Sequence, residues 1–115
     1  MKPKKPDLLQ GTLDLLVLKT LAHGPQHGYG VAQKILLLSR QILEVQHGSL
    51  YPALHRLERA KLLESYWTEH DGRKRKYYRL TAGGRKALAA RRSEWQAFSA
   101  GVHGVLGLEM GVIGG

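Results

Sequence analysis

The sequence predicts a mainly α-helical chain with one small β hairpin and a long closing helix, and three observations carry that prediction. Apolar residues recur at helical spacing in three separate stretches before Ala60. An Asp71-Gly72 pair between alternating, aromatic-bearing segments marks a tight hairpin. After Thr81 a narrow seam of Leu88, Trp95, Phe98, Val102 and Val105 recurs at steps of seven, three, four and three. At 115 residues the chain has room for one domain with a core of modest size.

Residues 1–7 read as a short flexible arm, in which Lys2, Lys4 and Lys5 alternate with two prolines. The first helix is expected from about Thr12 to Ala22, with Leu9, Leu13, Leu16, Val17 and Leu21 in one stripe. Leu15 and Leu18 fall outside that stripe, so this helix is apolar on most sides, as suits a central helix or one that meets a second subunit. His23-Gly24-Pro25 ends it. The second helix is expected over Gly28 to Leu38, with Val31, Ile35 and Leu38 inward and glycines softening its start, followed by a short extended segment over Ile42 to Val45.

The third helix has the clearest start signal. Ser49 is placed to cap it, and Pro52 then falls in the first turn, where a missing N–H costs nothing. Leu50, Leu54 and Leu57 form its buried stripe. Pro52, His55, Arg56 and Arg59 occupy the opposite face, flanked by Ser49 and Tyr51. The hairpin runs from Leu63 to Glu69 and returns over Lys76 to Leu80, with the unbroken basic run Arg73, Lys74, Arg75 and Lys76 at its tip and return. Trp67 is expected to pack within the hairpin. Thr81 caps the last helix, whose far end is weakened by Gly101 and Gly104. The expected organisation is therefore residues 1–80, then a helix over 81–106 of the same domain, then a flexible tail over 107–115.

The formal net charge is +9, and it is unevenly placed: between Leu54 and Arg92 twelve Lys/Arg face four Asp/Glu. A field of that strength attracts a polyanion, an acidic protein or an anionic membrane surface. The densest basic run lies on a hairpin rather than an amphipathic helix, which sets the membrane surface aside. No run is long and apolar enough for a membrane span, and the basic N-terminus has no apolar core of a signal peptide behind it, Asp7 and Asp14 interrupting, so a cytoplasmic location is expected. There are no cysteines, which excludes disulfides and thiolate ligation. The six histidines have no ligand spacing, Gly24 and Pro25 keeping His23 and His27 off a common helix face. Nucleophile–base pairs, paired carboxylates and phosphate-cradling glycine loops are missing from the sequence, so neither a cofactor nor enzyme activity is expected.

Helix, helix, helix, basic hairpin, long helix is the order of a winged helix-turn-helix with an added C-terminal helix. The residues themselves resemble the PadR family of transcriptional regulators. Leu13-Asp14-Leu15-Leu16-Val17-Leu18 and His27-Gly28-Tyr29-Gly30 resemble the opening of that family. Gly48-Ser49-Leu50-Tyr51-Pro52-Ala53-Leu54, with Leu57-Glu58, resembles its recognition helix, and Arg75-Lys76-Tyr77-Tyr78-Arg79-Leu80-Thr81, with Gly84-Arg85, its wing strand and the start of its last helix. The match runs from about Leu8 to Trp95.

The resemblance implies a homodimer held by the C-terminal helices with help from the first helix, which places Leu16, Leu88, Trp95, Phe98 and Val102 at the dimer interface or at a ligand pocket there. It also implies a repressor of an inverted-repeat operator on double-stranded DNA, released in some members by a small molecule, here a small apolar or aromatic one.

On this reading the third helix enters the major groove. Arg56 and Arg59 contact guanine or phosphate, Ser49 takes a phosphate, and Tyr51 meets sugar or a thymine methyl, beside Pro52 and His55. Arg73, Lys74, Arg75 and Lys76 attract the backbone without regard to sequence, and Lys2, Lys4 and Lys5 add a mobile arm. The alternative from another class is a winged helix used for docking to protein, with no preference among DNA sequences. For the seam, plain packing of Trp95 between subunits stands beside the ligand pocket.

Overall fold

The structure is a computed structural model, and it describes residues 10–108. The first helix, α1 (Gln10–Ala22), is its hub. Leu13, Val17, Leu18 and Leu21 are buried, and α2, α3, α4 and a strand all pack on it. Leucine on nearly every side is what a helix surrounded by other elements requires. Its buried Thr20 is satisfied locally, donating to the Leu16 carbonyl at 2.8 Å. The lysine arm expected over residues 1–7 and the end of the expected tail lie outside the described residues.

A two-residue strand, β1 (Gln26–His27), leads directly into α2 (Gly28–Leu38). His27 holds the helix start, its Nδ1 accepting from the Gly30 amide at 3.1 Å. Val31 and Ile35 turn inward as expected, but Leu38 is exposed. The helix stops at Leu38, and left-handed backbone at Arg40 and Gln41 carries the chain away from the core. The extended segment expected over Ile42 to Val45 forms no strand; only Val45 of it is buried.

The third helix, α3 (His47–Arg59), starts earlier than the sequence suggests. Gln46 occupies the capping position, and its carbonyl accepts from the amides of Ser49 and Leu50 at 3.0 and 2.9 Å. Ser49 is therefore a residue of the first turn rather than the cap, and Pro52 lies in the second turn. There its missing N–H removes a bond that the Gly48 carbonyl would otherwise accept. Leu50, Ala53, Leu54 and Leu57 bury the inner face.

The hairpin is β2 (Leu63–His70) and β3 (Arg73–Leu80), paired from Leu63↔Leu80 to His70↔Arg73. Asp71 and Gly72 both take positive φ, 52° and 75°, as the two-residue turn matching strand twist demands. β1 adds to the far side of β3, giving the antiparallel order β1-β3-β2. The last helix, α4 (Ala82–Leu106), is capped by Thr81, whose Oγ1 accepts from the Gly84 amide at 3.0 Å and donates to the Lys61 carbonyl at 2.7 Å. Its glycines do not interrupt it, and Gly107 closes it in the left-handed region at φ 73°. The architecture is a winged helix-turn-helix extended by one long helix. Among the described residues no helix is long and apolar enough to cross a membrane.

Candidate nucleic-acid interface

Four buried residues of α3 leave a complementary face outward, made by Pro52, His55 and Arg59 with Gly48 at its head. All four are exposed, and their spacing of four, three and four keeps them in line along the helix. Tyr51 lies on the flank toward the hairpin. Its ring crosses the start of α2, where a Cβ on Gly28 would come within 2.8 Å of Cε1. Glycine at that position is what lets the two helices close around the tyrosine. His47 stands edge-on to both Tyr29 and Tyr51, with centroids 6.2 and 5.8 Å away. The upstream turn thus brings His47 beside an aromatic group that the expected start at Ser49 excludes.

Arg56 departs from the expected arrangement. It occupies the opposite flank of α3, turned toward α1, and its Nη2 donates to Asp14 Oδ1 at 2.9 Å. The two side chains are 30% and 10% exposed, so this pair is largely withdrawn from solvent. Ser49 is exposed in the first turn.

The wing carries Arg73, Lys74 and Arg75, all exposed. Among the described residues neither Arg73, Lys74 nor the α3 residue Arg59 has a carboxylate partner. Lys76 differs from the other three basic residues of its run. It is half-buried, with Nζ 3.9 Å from Glu58 Oε1 and 5.5 Å from the centre of the Tyr78 ring. Glu58 also accepts from the Ser65 hydroxyl, so this carboxylate ties α3 to both wing strands. Burial, with Glu58 and Tyr51 close by, pushes the Tyr78 phenol up from its usual range. On the other face of the sheet Arg79 Nε donates to Glu64 Oε1 at 2.7 Å, above Tyr66 stacked on Tyr77.

Between α3 and the wing lies a cleft of about 480 Å³, walled by Tyr29, Tyr51, Trp67 and Tyr78 and edged by His27, His55, Arg75 and Lys76. Trp67 does not pack within the hairpin. It is 66% exposed, because its strand position alternates onto the same face as Ser65, the face that looks at α3. Arg75 places Nη1 at 3.1 Å from His27 Nε2. A neutral imidazole has one acceptor nitrogen, and Nδ1 already serves the Gly30 amide, so Nε2 carries the proton and offers Arg75 no acceptor. The guanidinium is left able to bond an incoming anion.

The far side of the molecule has a second groove of about 480 Å³, between α1 and the middle of α4, with Trp95 and Phe98 on one wall and Asp14 and Leu15 on the other. The two rings are tilted, 5.9 Å apart. Trp95, Phe98, Val102, Val105 and Leu106 are exposed along α4. Leu16 and Leu88 instead pack partly buried against the core.

Residues 17–90 match the Transcriptional regulator PadR-like family. Transcriptional regulator Rv3488 of Mycobacterium tuberculosis is 45% identical over 74 residues, which is 64% of this chain and 66% of that protein. A crystal structure from Streptococcus mutans aligns at a TM-score of 0.79 and 30% identity, covering 96% of this chain and 100% of that one. A PadR-like transcriptional regulator from Bacillus cereus aligns at 0.73 and 30% identity, covering 88% and 97%. The matched residues span α1 to α4, including the helix, wing and cleft described above, and the chain belongs to the PadR-like family of transcriptional regulators.

Proposed function

We propose that the protein is a sequence-specific repressor that binds an inverted-repeat operator as a homodimer. The observation that carries this reading is an exposed line on α3, Gly48, Pro52, His55 and Arg59, and the exposed wing cations Arg73, Lys74 and Arg75, with His55 and Arg75 edging one cleft between them. An α-helix fits the major groove, where base edges are distinguishable, and a flanking basic hairpin fits the adjacent backbone. In this arrangement Arg59, His55 and Tyr51 read or touch bases, Ser49 and the first turn of α3 meet a phosphate, and the wing tip holds the backbone. Lys2, Lys4 and Lys5 supply three further cations for the phosphate backbone. The exposed seam of Trp95, Phe98 and Val102 supports the homodimer, and the groove beside it has the aromatic wall that a small apolar or aromatic effector would need.

Selection from a pool of random duplexes tests the reading. Enrichment of an inverted repeat is the expected result, followed by reduced transcription in vitro from a promoter carrying that repeat. A pool that shows no enrichment would leave the winged helix as a protein-docking module and defeat the proposal.

A further inference from the structure

The Arg56–Asp14 pair is the only ion pair among the described residues that joins α3 to α1. Arg56 sits on a flank of the helix, away from the line of Pro52, His55 and Arg59. Its Nε is buried and finds no hydrogen-bond partner, so the bond from Nη2 to Asp14 is the contact that compensates a largely desolvated guanidinium. Asp14 is itself buried on α1 and also borders the groove containing Trp95 and Phe98. Asp14 therefore adjoins both α3, through Arg56, and the α1–α4 groove that it helps to line.

We infer that Arg56 serves DNA binding as a positioning residue, fixing α3 on α1 through Asp14, rather than as a contact to base or phosphate. This rests on the reading of the chain as a sequence-specific DNA binder. A helix held on one side by Arg56–Asp14 and on the other by Glu58 with Ser65 and Lys76 cannot roll about its axis. Its outward residues then meet the groove at one angle. Asp14 also makes the α1–α4 groove and the angle of α3 parts of one network.

The test is a double-mutant cycle on the selected operator. Asp14→Asn keeps the shape of the side chain and removes its charge; Arg56→Met keeps the length of the stem. Each is expected to lower affinity by about tenfold, and the double variant by the same tenfold rather than a hundredfold, because both changes break one interaction. The slope of log affinity against log salt is expected to stay at the wild-type value in all three, since every phosphate keeps its cation. A direct DNA contact predicts the opposite. Asp14→Asn would then release a cation and bind as tightly as wild type or more so, Arg56→Met would lower the slope by about one phosphate's share, and the effects would add; that result overturns the inference while leaving the regulator standing. Failure of the wild-type chain to select any sequence would overturn both. If Asp14→Asn does not fold, by circular dichroism at the assay temperature, the salt slope of Arg56→Met decides alone: unchanged supports positioning, lowered refutes it.

Discussion

His27 joins the helix-turn-helix to the wing through a single ring. Nδ1 caps α2, and the ring stands edge-on to Tyr77 of β3 at 5.5 Å with Arg75 beside Nε2. Burial and the Arg75 charge hold its pKa below the usual histidine range. Above about pH 6.5, the ordinary histidine value, folded and unfolded chains both carry a neutral ring and the cap is intact. As pH falls through that value the unfolded chain takes up the proton first, so stability is lost until the lower folded-state pKa is passed. The melting temperature of the wild type is thus expected to drop more between about pH 7.5 and 5.5 than that of His27→Asn, which retains a capping oxygen. Equal drops would refute the link. Gly84 is constrained by space: a Cβ there would collide with the Leu62 carbonyl, whereas one at Gly83 finds its nearest atom at 3.6 Å. Gly84→Ala is expected to cost about 1–3 kcal/mol in urea unfolding, and Gly83→Ala, freed from helical glycine's entropy, to cost nothing.

On the proposed reading, α3 and the wing divide the work of DNA binding into a part that discriminates and a part that attracts. Arg59 lies in the outward line of α3, so Arg59→Ala is expected to change which bases are selected and to cost about 1–3 kcal/mol on the preferred operator alone. Arg73, Lys74 and Arg75 changed together to glutamine are expected to weaken all duplexes alike and to flatten the salt slope by about 0.9 for each phosphate left without its cation. Competition titrations over a salt series separate the two. Identical effects on specific and random duplex would refute the division. Much of this pattern is legible in the sequence because it depends on local signals: helical spacing in α1 and α3, the Asp71-Gly72 turn, the Thr81 cap. Other features depend on partners distant in the chain or on the backbone alone. The start of α3 lies upstream of the Ser49 signal and is hidden in the sequence because Gln46, at the capping position, makes no side-chain cap bond, while Ser49 offers a capping hydroxyl one turn too late. β1 is only two residues and exists because β3 pairs with it. Arg56 belongs to the basic pattern by charge, yet Asp14, forty-two positions earlier, decides where it points.

The molecule as a whole is more extended than its chain length requires. Its radius of gyration is 15.9 Å, against about 13 Å for a compact 100-residue domain. The excess comes from α4, which docks on α1 and β3 near its start and then carries Phe98, Val102, Val105 and Leu106 beyond the core into solvent. A helix whose apolar seam is left exposed by the other described residues is complete only when something covers it. A second copy, related by a two-fold axis, would do so while setting two α3 helices toward successive major grooves. Phe98 is 63% exposed in the single chain, so Phe98→Glu leaves the core untouched and its thermal unfolding as a monomer intact. Across a symmetric seam the same change sets two carboxylates facing each other in apolar surroundings. Sedimentation equilibrium is expected to give twice the 12.8 kDa chain mass for the wild type and the single-chain mass for the variant. The inverted repeat should then lose at least about a hundredfold in affinity, since each half-site must be found independently, while an isolated half-site binds as before. A wild type that sediments as a single chain, or a variant that remains dimeric, would place the dimer interface elsewhere or remove it.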